Sequence, residues 1–201
     1  MDDLFQDNAR NTGQNVTLGR FRPGDRAHLD FYETPPGAVR ALITLDPALT
    51  LKPALEPCAG NGAISRVLKE EYGCVVESRD IVEREYPLDG TWNYLTAEPE
   101  ELDRNVITNP PYEHAVPFIL KSLGMVLPGN RVCLLLRTLF LEGQARRRLF
   151  DGHPPLTVAV FSKRPHCPRA YGGAKAESGA LSFAWFIWQK GHTGDTRLTW
   201  V

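Results

Sequence analysis

No stretch of this sequence approaches the ~18 consecutive apolar residues that a membrane-spanning helix requires, so an integral helical membrane protein is not expected. The first ten residues, MDDLFQDNAR, have neither the basic start nor the apolar centre of a secretory signal, and a cytoplasmic location is expected. Cysteine is scarce. Cys58, Cys74, Cys133 and Cys167 stand alone with no CxxC pair, and the apolar neighbours of Cys74 and Cys133 predict buried thiols. His166 and Cys167 with His153 do not have the spacing of a zinc knuckle, so no metal is expected. No repeat of fixed period is visible. Net charge is also nearly absent, at −1.

That balance conceals a segregation. Residues 70 to 104 carry eleven acids against three arginines, whereas residues 131 to 175 carry nine bases against Glu142 and Asp151. A basic region of this kind suits a polyanionic partner, although an ordinary solvated surface remains the alternative. The 201 residues are 42% hydrophobic and 23% charged, the composition of a soluble globular protein. A chain of this length buries roughly 70% of its unfolded surface in one core. Residues 1–29 are polar and poor in apolar side chains, which predicts a flexible arm bearing Arg10, Arg20, Arg22 and Arg26; a single domain is expected over 30–201.

Strand and helix signals alternate through that domain. A helix is expected over Gly37–Leu45, with Thr34 as its cap and proline in its first turn. Ala54–Leu55 reads as a strand running into a glycine loop, and Ala63–Tyr72 as the helix after it. Further strands are expected from Cys74 to Asp80, over Thr91–Leu95, Asn105–Thr108, Arg131–Leu136, Leu156–Phe161 and Leu181–Trp188, with helices over His114–Val126 and Leu141–Phe150. The nearly continuous apolar run at 131–136 is what a strand buried on both faces requires. The alternation predicts an α/β fold: a doubly wound, Rossmann-like sheet, mostly parallel, with an antiparallel strand near the C-terminus.

Two loops carry the chemistry. In EPCAGNG (56–62) the glycines are spaced GxG, with Ser65 where a dinucleotide fingerprint has its third glycine. Glycine there allows a tight turn and close approach of a ligand to the backbone. Asp80, eighteen residues beyond Gly62 at a strand end, is placed like an acid that accepts from ribose hydroxyls. Glu56 narrows the ligand. A carboxylate at this point repels a pyrophosphate but suits an ammonium group, and S-adenosylmethionine combines an ammonium, a ribose and no phosphate. Capping or ion pairing at a strand end is the alternative reading of Glu56.

The second loop is VITNPPY (106–112). Asn109 and Pro110 each precede a proline and are pushed away from helical angles, which stiffens the turn. Because Pro110 and Pro111 lack an N–H, the Pro110 carbonyl and the Asn109 side-chain oxygen can converge on one NH2 group, while Tyr112 offers a flat face to an aromatic ring. Those are the requirements for methylating an aryl amine. Acceptors draw on its hydrogens and restore nucleophilicity to a delocalised nitrogen, and alignment supplies most of the rest. No covalent nucleophile is needed.

Taken together, FYETPP (31–36), EPCAGNG, Asp80, NPPY (109–112) and FAWFIW (183–188) resemble the S-adenosylmethionine-dependent amino-methyltransferases of the DNA adenine-N6 type, particularly the small enzymes of bacteriophages and prophages. The resemblance runs from about residue 30 to the C-terminus. It implies that Tyr32 and Thr34 line the methionine end of the cofactor, that Glu56, Pro57, Ala59, Gly60 and Gly62 hold its backbone and amino group, and that Asp80 binds ribose. It implies catalysis by Asn109, Pro110, Pro111 and Tyr112. Asn93 stands where the family often has an acid near the cofactor adenine, so that contact departs from the pattern. In FAWFIW, Trp185 and Trp188 read first as core, with packing near the flipped base as the family's alternative.

No separate target-recognition domain like that of larger enzymes is expected, so recognition of double-stranded DNA would fall on loops. The basic stretch with Lys163, Arg164, His166 and Arg169, together with Arg146 in a run of three arginines, supplies the candidates; a solvated connector is the alternative for each. The same turn also serves enzymes acting on adenine in ribosomal RNA or on a glutamine amide, and a non-catalytic binding subunit would keep the same fold.

Overall fold

The computed structural model describes residues 33–163 and 182–201. Eight strands form one sheet: β1 (Ala54–Glu56), β2 (Val76–Asp80), β3 (Gly90–Thr91), β4 (Asn105–Thr108), β5 (Arg131–Arg137), β6 (Thr157–Val160), β7 (Phe183–Gln189) and β8 (Arg197–Trp200), in the order β3-β2-β1-β4-β5-β7-β6-β8. From β3 to β5 all neighbours are parallel, and β7 inserts antiparallel between β5 and β6. The expected doubly wound, mostly parallel sheet is therefore present.

Among the described residues four helices cover it: α1 (Pro36–Leu45), α2 (Ala63–Arg66, continuing through a wider π-type turn at Val67–Glu71), α3 (Ala115–Met125) and α4 (Gln144–Gly152). Alternation along the central strands divides the core between them. Ala54, Ile107, Cys133 and Leu135 face the side packed by Val39 and Leu42 of α1 and Ile64 and Leu68 of α2. Leu55, Val106, Val132, Leu134 and Leu136 face Phe118, Ile119 and Leu123 of α3 and Leu149 of α4. Apolar residues fill positions 132–136 of β5, between its terminal arginines, because each face is covered by helices there. Full burial of a side chain such as Leu134 or Phe186 contributes about 1.5–3 kcal/mol, and both are 0% exposed.

FAWFIW is core. Trp185 donates its indole N–H to the Ala38 carbonyl (2.7 Å) and Trp188 to the His153 carbonyl (3.0 Å), so burial leaves neither polar atom unsatisfied.

Several expected boundaries shift, each for a local reason. Thr34 does not cap α1: the cap position is Pro35 and no side chain bonds the helix start. The third strand stops at Thr91 because Asn93 accepts the Leu95 N–H (3.1 Å) and folds the chain into a turn. The third helix is preceded by a 3-10 turn at Tyr112–His114. The stretch expected as one helix over 141–150 is a 3-10 turn at Thr138–Leu141, a glycine at φ 106 (Gly143) and then α4. Strand β8 was not expected from RLTW; it is mostly exposed and exists through parallel pairing with β6. The arm at 1–29, Tyr32, Arg164, His166 and Arg169 lie outside the described residues.

Candidate functional site

Strands β1, β2, β4 and β5 run parallel, so the loops after them emerge at one edge of the sheet, with Glu56 beside Ser78 and Leu55 beside Val106. The crevice outside the carboxyl ends of such strands is where doubly wound sheets place ligands.

The loop after β1 turns through Gly60 (φ 54) and Gly62 (φ 74), both in the left-handed region. At Gly62 a second constraint applies: a Cβ would lie 2.3 Å from the ring of Tyr86. Tyr86 closes against the loop with Arg66 4.8 Å and Lys69 5.7 Å from its ring centroid. Its hydroxyl lies 3.5 Å from that of Ser78.

Glu56 is 2% exposed, and one of its oxygens accepts both the backbone N–H (2.9 Å) and the hydroxyl of Ser65. The Ser65 hydroxyl also lies 2.6 Å from that of Ser78, which accepts from the Lys69 ammonium (3.2 Å). Ser65 therefore ties strand, loop and helix together where a third glycine would leave space. Burial pushes the Glu56 carboxyl up to about 8, against the opposing effect of the two Ser65 bonds. One oxygen of Asp80 accepts from Gly60 N–H (2.8 Å); the other accepts from Val82 N–H (3.3 Å) and has the Arg84 guanidinium 3.3 Å away. Burial, then the nearby Asp80 and Glu56, raise the Cys58 thiol well above its ordinary value, so it is not poised as a nucleophile.

On the other side of the crevice, the structure joins two sequence motifs 75 residues apart. Asn109 donates its side-chain N–H to the Thr34 hydroxyl (3.1 Å), which pins the plane of the amide and the direction of its oxygen. Pro110 is buried, and Pro111 and Tyr112 are half-buried. Tyr112 packs on both core clusters, 6.1 Å from Phe183 between ring centroids, and the Arg137 guanidinium at the end of β5 lies 5.0 Å over its ring. One face of the tyrosine is thus occupied by the chain's own cation.

Pro57, Ala59, Gly60 and Gly62 are all buried within the first loop. Asn93 lies in the turn just after β3, where its side chain serves the Leu95 N–H; the adjacent Trp92 donates its backbone N–H to the Asp80 carbonyl (2.9 Å) and carries the Arg79 guanidinium 4.2 Å over its ring. Lys163 is exposed just past β6. Arg146 turns back on its own loop, donating to the carbonyls of Leu139 (3.1 Å) and Glu142 (2.5 Å), while Arg147 pairs with Asp151 (2.7 Å). Sequence reasoning placed Ser65 in the loop pattern without its partner Glu56, and missed Arg84, Tyr86 and Arg137. Only Arg84 left a signal, four residues beyond an acid; the others are specified by contacts across strands. No cluster of metal-ligating side chains occurs among the described residues.

No family model and no curated protein matches this sequence. Solved structures do match its fold. A putative class I S-adenosylmethionine-dependent methyltransferase from Listeria monocytogenes superposes with a TM-score of 0.59 at 9% identity, over 98% of this chain and 71% of that one. The fold is that of the class I S-adenosylmethionine-dependent methyltransferases. A type I restriction-modification methyltransferase subunit from Streptococcus thermophilus gives a TM-score of 0.57 at 15% identity, over 82% of this chain and 45% of that one. A putative RNA methyltransferase from Pyrococcus horikoshii gives 0.58 at 14%, over 94% and 99%. This chain spans less than half of the restriction-modification subunit. The insertion of β7 between β5 and β6 places Phe183, the first residue of β7 and the partner of Arg137 at the end of β5, next to Tyr112.

Proposed function

We propose that this protein transfers a methyl group from S-adenosylmethionine to the exocyclic amine of adenine in double-stranded DNA. The observation that supports this most directly is the Asn109–Thr34 hydrogen bond, which orients the amide of a proline-stiffened turn beside a glycine loop flanked by two buried acids. Residues 57–62 carry no basic side chain, so the loop suits a ligand with an ammonium and a ribose better than a pyrophosphate.

When bound, S-adenosylmethionine supplies an electrophilic methyl on a sulfonium, and transfer leaves a neutral thioether. Glu56 would hold the ammonium and Asp80 the ribose hydroxyls, with Pro57, Ala59, Gly60 and Gly62 forming the wall between them. Tyr32 and Thr34 would line the methionine end, and Asn93 the adenine end. The Asn109 oxygen and the Pro110 carbonyl would accept hydrogen bonds from the two amine hydrogens and stabilise the positive charge that develops on nitrogen as the N–CH3 bond forms; the methylated nitrogen would then lose its extra proton to solvent. Pro111 keeps the turn rigid. Tyr112, with Arg137 against one face, would stack the target base on the other; flipping that base costs a few kcal/mol. Arg146, Lys163, Arg164, His166 and Arg169 would contact the phosphates.

The similar fold of a putative RNA methyltransferase keeps adenine in RNA as a second reading. Incubation with labelled cofactor, unmethylated genomic DNA and ribosomal RNA separates them. N6-methyladenine in the DNA supports the proposal. Its absence from several DNA sources, with label in RNA or in protein, would sink it.

A further inference from the structure

The turn Thr138–Leu141 between β5 and α4 is held from several sides yet presents two apolar side chains to solvent. Its Thr138 N–H donates to the Ser182 carbonyl (2.9 Å), Glu142 N–H to the Leu139 carbonyl (3.0 Å), and Arg146 to the carbonyls of both Leu139 and Glu142. Phe140 anchors it in the core, edge-on to Phe150 (5.9 Å) and Phe186 (5.5 Å). On either side of that anchor, Leu139 is 59% and Leu141 46% exposed. A rigid turn that keeps two leucines in water is costly unless they meet something.

Position and charge indicate what they meet. The turn starts one residue after Arg137, whose guanidinium lies on Tyr112, so the leucines stand beside the proposed base pocket. Arg146, Arg147 and Arg148 follow within the next turn and a half of chain. Among the other exposed aliphatic residues described, Leu51 (82%) and Val75 (73%) precede β1 and β2, at the opposite edge of the sheet, and Leu198 (53%) lies on the edge strand β8; Ile81 (36%), just after β2, stands at the same edge as the crevice but on its cofactor side. Apolar side chains flanked by arginines next to a base pocket suit a duplex whose stack is opened, because removal of a base leaves an apolar gap between phosphate-bearing strands.

Resting on the reading above, we propose that Leu139 and Leu141 form a wedge that enters the nucleic-acid duplex and fills the space vacated by the target base. Their backbone is pre-positioned by Phe140 and Arg146, so insertion orders few additional groups.

The test is binding of a short fluorescein-labelled DNA duplex, intact or with one central abasic site, followed by anisotropy at fixed salt. The wild-type chain should bind the abasic duplex about tenfold more tightly, because the gap is already open. Leu139→Ala/Leu141→Ala should reduce that preference to below about twofold. Leu139→Met/Leu141→Met and the distant Leu51→Ala should retain it, with unchanged melting midpoints showing that folding is intact. Absence of the preference in the wild-type chain, or its persistence in the double alanine variant, overturns the wedge. So does a double variant that alters only self-association in sedimentation, which would assign the leucines to a second copy of the chain. Methyl transfer to DNA without the abasic preference removes the wedge alone; the preference without any transfer removes the methylation reading and leaves the wedge.

Discussion

The two sides of the crevice are built on opposite plans. Around β1 and β2 the chemistry consists of buried carboxylates that the chain already satisfies: Glu56 by Ser65, and Asp80 by Gly60, Val82 and Arg84. Around β4 and β5 it consists of stiff and flat groups: two prolines, an amide pinned by Thr34, and Tyr112 between Phe183 and Arg137. On the first side a ligand must share or replace existing hydrogen bonds, so binding there is an exchange between nearly balanced partners. On the second side covalent stiffness sets the geometry before any ligand arrives, which lowers the ordering cost of the reacting arrangement. On the proposed function, one side would serve reversible binding and the other alignment.

The largest effect should come from breaking the alignment side. Asn109→Ala should lower the methylation rate by about 10²-fold, comparable to loss of one charge-stabilising group in a preorganised site, while cofactor affinity by calorimetry stays nearly unchanged. Thr34→Val, which removes the acceptor that pins the amide, should lower the rate by a smaller factor, about tenfold. Equal losses of binding and rate in both variants would erase the distinction between the two sides.

Gly62→Ala tests the binding side through its backbone. A methyl there meets Tyr86 at 2.3 Å and a φ of 74, so unfolding stability should fall by about 1–3 kcal/mol in denaturant titration. Asp80→Asn removes the carboxylate charge that faces Arg84 and would weaken the proposed hydrogen bonding to ribose. Cofactor affinity should fall about tenfold, with kcat at saturating cofactor much less affected.

The smallest effect is a pH slope. Glu56 has a folded-state pKa of about 8 against an ordinary 4.5, so the folded protein retains a proton there that the unfolded chain releases between those values. Stability from this group is complete below the unfolded pKa and is lost as pH rises from about 4.5 toward 8. Glu56→Gln should flatten that part of the stability profile. A cationic cofactor favours the ionised carboxylate, so binding near neutral pH should release a proton, visible as a dependence of calorimetric heat on buffer ionisation enthalpy. Glu56→Gln should abolish that dependence.

Much of the geometry around β1 and β2 was legible because its signals are local. Glycine spacing, an acid before the loop and another at the next strand end follow from backbone geometry within about thirty residues, the span of one βαβ unit. NPPY was legible for the same reason, since proline constrains its own and the preceding residue. Thr34 was misread as a cap because capping is the commonest local use of a threonine before a helix, and only the approach of Asn109 shows its partner. The Ser65 tie to Glu56, Tyr86 against Gly62 and Arg137 on Tyr112 cross strands or loops. Strand β8 had no pattern of its own and depends on an edge offered by β6.

What the sequence determined by itself is the alternation of strands and helices and the two loops at their ends, because apolar period, proline and glycine act over a few residues. The tertiary structure decided which of those side chains meet. The parallel register puts Glu56 beside Ser78, and the β4–β5 pairing carries Arg137 to Tyr112. Such encounters depend on register and packing across distant segments, and burial then gives them the energetic weight that exposed pairs lack.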